Sequence, residues 1–492
     1  MRMMASGPGR RAFIASGLAA SAFAALPVPV RSAAQAAAND VALLREILTA
    51  LHAGLYRYAS PSDIDAALDR LERQWAAAPD LAARYLDLSR FLAMIRCGHS
   101  YANFFNQKKA VADDLFGRST RLPFAFKWVG RQMVVLADQS GMGKLPRGTV
   151  VKAINNVSAS DMLARLLPYA RADGSNDAKR VALMAVTGKE NIETFDVFYG
   201  LVYGAPPSGQ HRLRVRIPGA AADSTVELPA LTLEQRRSFV RKVDYRGDQP
   251  VWDWTMRDDG IAVLTMDGWA LYNSKWKWQD WLNDRLDSLK GARGLIVDIR
   301  ENEGGNDCGD IILSRFAGRD IVKPLADRLV RYRKVPDGLN RYLDTWDDSF
   351  RDWGADAESF DETYFRLKQG VDGNILVARG PRVDVPLAVL TSPQNSSATF
   401  QFAALCRQSG VGTLVGETTG GNRRGINGGA YFFARLPDSG LEFDVPLIGY
   451  FPKTKMPDAG IVADIRLALS AKDIANGYDR QMQAAVAHLL RR

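Results

Sequence analysis

The stretch 386–421, PLAVLTSPQNSSATFQFAALCRQSGVGTLVGETTGG, limits the possible folds more than any other part of the chain. Residues 387–391 form a short apolar run rich in Val and Leu, the pattern of a buried strand. The polar turn Ser-Pro-Gln-Asn-Ser-Ser follows. Residues 399–408 then read as a helix, with Phe400, Ala403, Ala404 and Leu405 as its apolar positions. Gly410 stops that helix, and 412–416 is a second apolar strand. A hydroxyl at a strand-to-helix turn sits where backbone N–H groups point outward and favour developing negative charge. Ser397 is therefore a candidate nucleophile, with Ser396 beside it. The alternative is that both serines only cap the helix.

The chain around this stretch continues in the same alternation. Residues 260–266 and 294–299 read as further apolar strands, with a helix over 273–290 carrying Trp276, Trp278 and Trp281. Strands alternating with helices imply a mainly parallel sheet and an α/β class. At the end of the 294–299 strand stands Asp298-Ile-Arg300-Glu-Asn302-Glu-Gly304-Gly305, ahead of a helix over 310–316. Paired glycines there let the backbone turn sharply and let a substrate approach its N–H groups. An ordinary tight turn has the same appearance. Strands over 430–436 and 441–447 form a hairpin, and a last helix spans 471–490. Residues 324–380 are charged and aromatic. They are expected to be a solvated helical excursion rimming the sheet.

Ahead of this core, residues 39–95 are predicted to be helical in three segments, 41–56, 64–77 and 81–95, with Ser60-Pro-Ser62-Asp63 as a cap. Residues 116–232 form a β-rich module with a strand at 133–137, an Asn-Asn hairpin at 155–156 and a closing hairpin at 213–217 and 224–228. It resembles a PDZ domain, which would bind peptide by strand addition to its edge. Residues 233–250 read as a polar linker. The expected division is 1–36, 37–115, 116–232, 233–250 and 251–492.

The chain has only four histidines. His52, His211 and His488 lie within regular elements and have ordinary packing or surface readings. His99 follows a glycine on a loop, in Gly98-His99-Ser100-Tyr101, where function concentrates. It is the histidine to consider as a general base; interaction with the preceding helix dipole is the competing account.

At the N-terminus, Arg10-Arg11-Ala-Phe13-Ile14 precedes an Ala- and Ser-rich apolar run ending in Ala34-Gln35-Ala36. This order of charged, apolar and small residues is that of an export signal, and the arginine pair resembles a twin-arginine signal. Cleavage near Ala36 and a periplasmic or secreted, membrane-free product are expected. The net charge of +9 includes Arg2, Arg10, Arg11 and Arg31 from that segment, which leaves +5 for the rest. No basic cluster interleaved with aromatics stands out, so nucleic acid is not an expected partner. Cys97, Cys308 and Cys406 form no CxxC and no metal spacing, and their pairing cannot be deduced. No cofactor and no metal are expected.

Three motifs, DIRENEGG, PLAVLTSPQNSSAT and GTLVGETTGG, resemble in order and spacing those of the S41 family of tail-specific or C-terminal processing proteases. GHSY and DAGIVAD fit the same pattern. The resemblance implies a ClpP/crotonase-like core with a helical N-terminal region and a PDZ-like module. It places Ser397 at the nucleophile. The N–H of Ala398, with that of Gly304 or Gly305, would hold the oxyanion. Family members of the Ser/Lys type place a lysine shortly after the GETTGG-like strand, but Asn422 stands there. Arg423 and Arg424 cannot replace it, since a guanidinium stays protonated. The tricorn-like branch uses a histidine in a GHSY-like motif, which points to His99, with Asp458 as the orienting acid and Ser100 as a further partner. The implied function is a serine peptidase acting on peptide or unfolded protein. The alternatives are a catalytically inactive peptide- or ligand-binding protein on the same scaffold and an acyl enzyme with an ester substrate.

Overall fold

The computed structural model of the chain describes residues 33–368 and 374–491. The expected signal therefore lies almost wholly outside the described residues. No helix among the described residues is long and apolar enough to cross a membrane.

The three predicted N-terminal helices form as Ala33–Leu51, Pro61–Ala77 and Leu81–Met94. Ser60 and Asp63 close a reciprocal capping box at the second helix, which satisfies two otherwise orphaned backbone donors. That helix buries Ile64, Leu68, Leu71 and Trp75 along one face, the helical spacing of an amphipathic element.

An antiparallel sheet follows, in the order Phe124–Val129, Gln132–Asp138, Val150–Ile154, Gln210–Arg216, Ser224–Pro229. Asn155 and Asn156 turn its tight hairpin with φ of 48° and 69°, a conformation that Asn tolerates better than most residues. The Phe124–Val129 edge is not bare: Phe126 exchanges both backbone hydrogen bonds with Val186, at 2.8 and 3.0 Å. Between the third and fourth of these strands the module also carries the helices Asp177–Leu183 and Thr194–Tyr203. The expected linker is also partly structured. Leu233–Ser238 is a short helix whose Arg236 is fully buried against Asp196.

The C-terminal core is the predicted α/β sheet. Its strand order is Ile465–Arg466, Thr413–Gly416, Leu387–Thr391, Gly294–Asp298, Ile261–Thr265, Asp253–Met256, and every pair but the last is parallel. All five residues of Leu387–Thr391 are buried, as a central strand covered on both faces requires. Helices Trp278–Asp287, Gly309–Phe316 and Ser397–Ser409 contribute to the core on one face of this sheet, and Arg480–Leu489 covers the other. The predicted 273–290 helix is shorter because Lys275 and Trp276 donate their N–H groups to Gly247 instead. The final helix is interrupted at Gly477, whose φ is 62°.

Residues 324–380 correct the helical expectation. The described part, 324–368 and 374–380, forms short strands and 3₁₀ turns, and Ala326–Val330 and Leu343–Asp344 pair with the long hairpin Asn427–Arg435 and Glu442–Pro452. Their aromatics pack rather than float: Tyr332 lies against Phe432, and Phe350 stacks on Trp353. The N-terminal helices, the antiparallel module and this hairpin share one hydrophobic core. All three cysteines are buried and unpaired.

Candidate active site

The turn between Leu387–Thr391 and Ser397–Ser409 is held by its own side chains. Asn395 accepts the Ser392 N–H at 2.7 Å and donates to the Asn302 carbonyl at 3.1 Å. Its carbonyl accepts from Gly420 and Gly421, at 2.7 and 2.9 Å. Ser396 is the N-cap by position, yet neither serine caps through its side chain. Ser396 Oγ donates to the Glu303 carbonyl at 3.1 Å. Ser397 is half-buried, its side chain has no hydrogen bond among the described residues, and its φ is 52°. A positive φ at a non-glycine residue costs on the order of 1–3 kcal/mol, so surrounding structure must enforce it.

The two glycines after Glu303 are required by close approach. A Cβ on Gly304 would lie 2.9 Å from Ser397 Cβ and 3.0 Å from the Ala398 nitrogen. A Cβ on Gly305 would lie 2.3 Å from the Trp269 carbonyl. Their N–H groups differ. Gly304 donates to the buried Asn302 side chain at 2.8 Å, whereas those of Gly305 and Ala398 meet no acceptor among the described residues. Of the two glycine donors expected for an oxyanion, Gly304 is thus engaged in shaping the turn, and Gly305 is free.

His99 sits on a loop clasped by the 171–173 segment. Gly98 donates its N–H to Asp173 at 2.8 Å, and its carbonyl accepts from Arg171 at 3.0 Å. Arg171 and Lys179 both bridge Glu303, at 3.3 and 3.0 Å, and Glu303 directly precedes the glycine pair. His99 and Glu303 interact electrostatically. No hydrogen bond among the described residues joins His99 to Ser397. His99 Nδ1 is buried without a partner, and Nε2 lies 4.0 Å from the position a Cβ on Gly428 would take. The Tyr431 ring is 6.0 Å from the imidazole, and Trp346, 59% exposed, continues this aromatic surface 5.5 Å beyond.

Burial holds the His99 imidazole below its ordinary value, against the raising pull of Asp173. It is therefore neutral, and able to accept a proton, at neutral pH. Burial pushes Glu303 up, but Lys179 and Arg171 outweigh it and hold the carboxyl below its usual range. Burial lowers Lys179 despite that ion pair.

Two expected contacts of His99 are not formed. Asp458 does not reach the ring. It accepts from the Ser175 N–H and hydroxyl, both at 2.9 Å, and from Asn422 at 2.7 Å. Ser100 instead bonds His52 at 2.8 Å, and burial pushes that imidazole down to about 3. The remaining histidines bond Thr120 and Thr413. Arg171, Asp173 and Lys179 escaped the sequence reading, because their approach depends on a loop more than 120 residues from the DIRENEGG turn.

Residues 260–464 match the family model "Peptidase family S41". The chain carries an S41 peptidase core. The match shows a serine-type peptidase, a hydrolase. Among solved structures, mature CPAF complexed with lactacystin is similar at a TM-score of 0.61 and 13% identity, covering 93% of this chain and 97% of that one. Mature CPAF alone gives 0.58 and 14%, covering 93% and 98%. At such identities the likeness concerns the fold, and it extends beyond the S41 core to the N-terminal helices and the antiparallel module. Comparison with curated proteins gives no match.

Proposed function

We propose that the chain is an exported serine peptidase that cleaves peptide bonds through an acyl-enzyme on Ser397, with His99 as general base. The observation that carries this reading is the forced turn at Ser397. A serine with φ of 52° projects into space that Gly304 leaves open, beside the unpaired N–H of Ala398. Ser397 Oγ attacks the peptide carbonyl carbon while His99 Nε2 takes its proton. The Ala398 and Gly305 N–H groups receive the oxyanion, where preorganised donors act most strongly. His99 then protonates the departing amine; water, giving a proton to His99, attacks the ester carbonyl, and His99 returns that proton to the Ser397 oxygen as the acid leaves. The missing Ser–His hydrogen bond accords with unliganded sites, where such contacts tighten only with substrate bound. A polypeptide substrate would find an apolar contact on the exposed Trp346, whose ring is 5.5 Å from Tyr431, itself 6.0 Å from the His99 imidazole.

Replacing Ser397 by Ala tests the assignment. The variant is expected to lose both cleavage of unfolded protein and labelling by a serine-reactive phosphonate. Undiminished cleavage refutes it. A wild-type protein that binds peptides but turns over neither peptide nor ester bonds would instead be a binding protein on this scaffold. Export rests on the Arg10-Arg11 segment. Fractionation of cells expressing the full chain, with Arg10 and Arg11 intact or both changed to Lys, checks it: loss of the protein from the exported fraction only in the double variant is the expected result.

A further inference from the structure

Among the buried polar atoms left without a partner around His99 are its own Nδ1 and Asp173 Oδ2. A buried polar atom left without a partner costs about 1–3 kcal/mol, and more when charged, so such atoms are uncommon in native structures. We propose that Asp173 is the positioning residue of His99: in the substrate-bound enzyme its Oδ2 accepts the Nδ1–H and directs Nε2 to the Ser397 hydroxyl. The proposal rests on the assignment of His99 as general base.

Three observations favour Asp173 over the other acids. Its Oδ1 is anchored at 2.8 Å on the N–H of Gly98, the residue before His99. Its Oδ2 lies 2.8 Å from where a Cβ on Gly98 would be, so glycine at that position is what admits the carboxylate. Glu303, the other acid coupled to His99, has one oxygen on Lys179 and the other on Arg171. Asp458, the acid expected from the sequence, acts one step further away. The Asp173 carbonyl accepts from Asn422 at 3.3 Å, and Asp458 holds both Asn422 and Ser175. Gly174 and Ser175 are also tied to Arg96, at 2.9 and 2.6 Å. Asp458 thus fixes the loop that presents Asp173.

The test measures kcat, KM and the pH profile of Asp173→Asn and Asp458→Asn in the full chain. The amide keeps an acceptor for Gly98 but cannot hold Nδ1–H as a carboxylate does. Asp173→Asn is expected to lower kcat by roughly 10²–10⁴-fold with KM changed only a few-fold, the pattern of a lost orienting carboxylate. The acidic limb of kcat/KM should also move to lower pH, because Asp173 raises the proton affinity of His99. The other charged or titratable groups around the pair, Arg57, Tyr58, Cys97, Arg171, Lys179, Glu303 and Tyr431, are unchanged by the substitution. Asp458→Asn should lower kcat less and leave the limb in place. A folded Asp173→Asn enzyme within threefold of wild type, with an unmoved limb, overturns the proposal. Should that variant not fold, wild-type protein labelled with the phosphonate decides. A low-field imidazole proton that disappears in His99→Gln is expected, and its absence overturns the proposal. If wild-type protein shows no Ser397-dependent labelling or cleavage, the peptidase reading itself fails; a labelled, active wild type with an indifferent Asp173→Asn defeats only this inference.

Discussion

At the scale of single residues, the site depends on what is missing from Gly304. Its Cα faces Ser397 and the Ala398 N–H across a gap too small for a methyl group. Gly304→Ala would place a methyl group 3.0 Å from the Ala398 nitrogen, and by covering that N–H it is expected to cut kcat by about 10²–10³-fold, the usual cost of losing an oxyanion donor, and to slow phosphonate labelling in parallel. Steady-state kinetics on the folded variant would show it, and an unchanged kcat would remove the oxyanion role from this turn. Ser397, the glycine pair and His99 were legible in sequence because each stands at a punctuated boundary: strand end, helix start or glycine-led loop. Asp173 was not. Its neighbours Ala172 and Gly174 announce only a turn, and nothing local signals that the turn docks on Gly98. Gly304 was legible as a glycine that must be there, but the Asn302 acceptor of its N–H was not.

At the scale of elements, the parallel core was readable because its strands are continuous apolar runs with helices between them. The regions read as linker and excursion were not readable for a common reason: their polar side chains are satisfied by partners distant in sequence. Arg236 is the clearest case. In a charged stretch it looks solvated, yet it is fully buried, with two nitrogens on the Asp196 carboxylate at 2.8 and 3.4 Å. Arg236→Ala leaves that carboxylate buried and unpaired, and a loss of about 3–5 kcal/mol in urea unfolding is expected. A loss under 1 kcal/mol would return the segment to the status of a linker. Likewise, residues 324–380 carry too many acids and arginines to show strand periodicity, and Ala326–Val330 and Leu343–Asp344 become strands by pairing with the Asn427–Pro452 hairpin.

At the scale of the whole molecule, the hairpin joins the two halves of the chain. Asp444 on it accepts from Asn103 and Asn106, at 2.8 and 3.3 Å, a few residues after His99. Burial pushes its carboxyl up to about 7, well above the ~3.9 of an unfolded chain. Between those two values the native state binds more protons than the unfolded one, so this group's contribution to stability falls as pH rises through the window and levels off above it. The melting temperature of Asp444→Asn relative to wild type should therefore be higher at pH 8 than at pH 5; a difference that does not vary with pH would contradict the burial argument. The unpaired, buried thiols have a consequence for how the chain folds. Cys97, Cys308 and Cys406 give an oxidant nothing to join, so thermal midpoints with and without dithiothreitol should coincide. Such a polypeptide reaches its finished shape with no oxidation step.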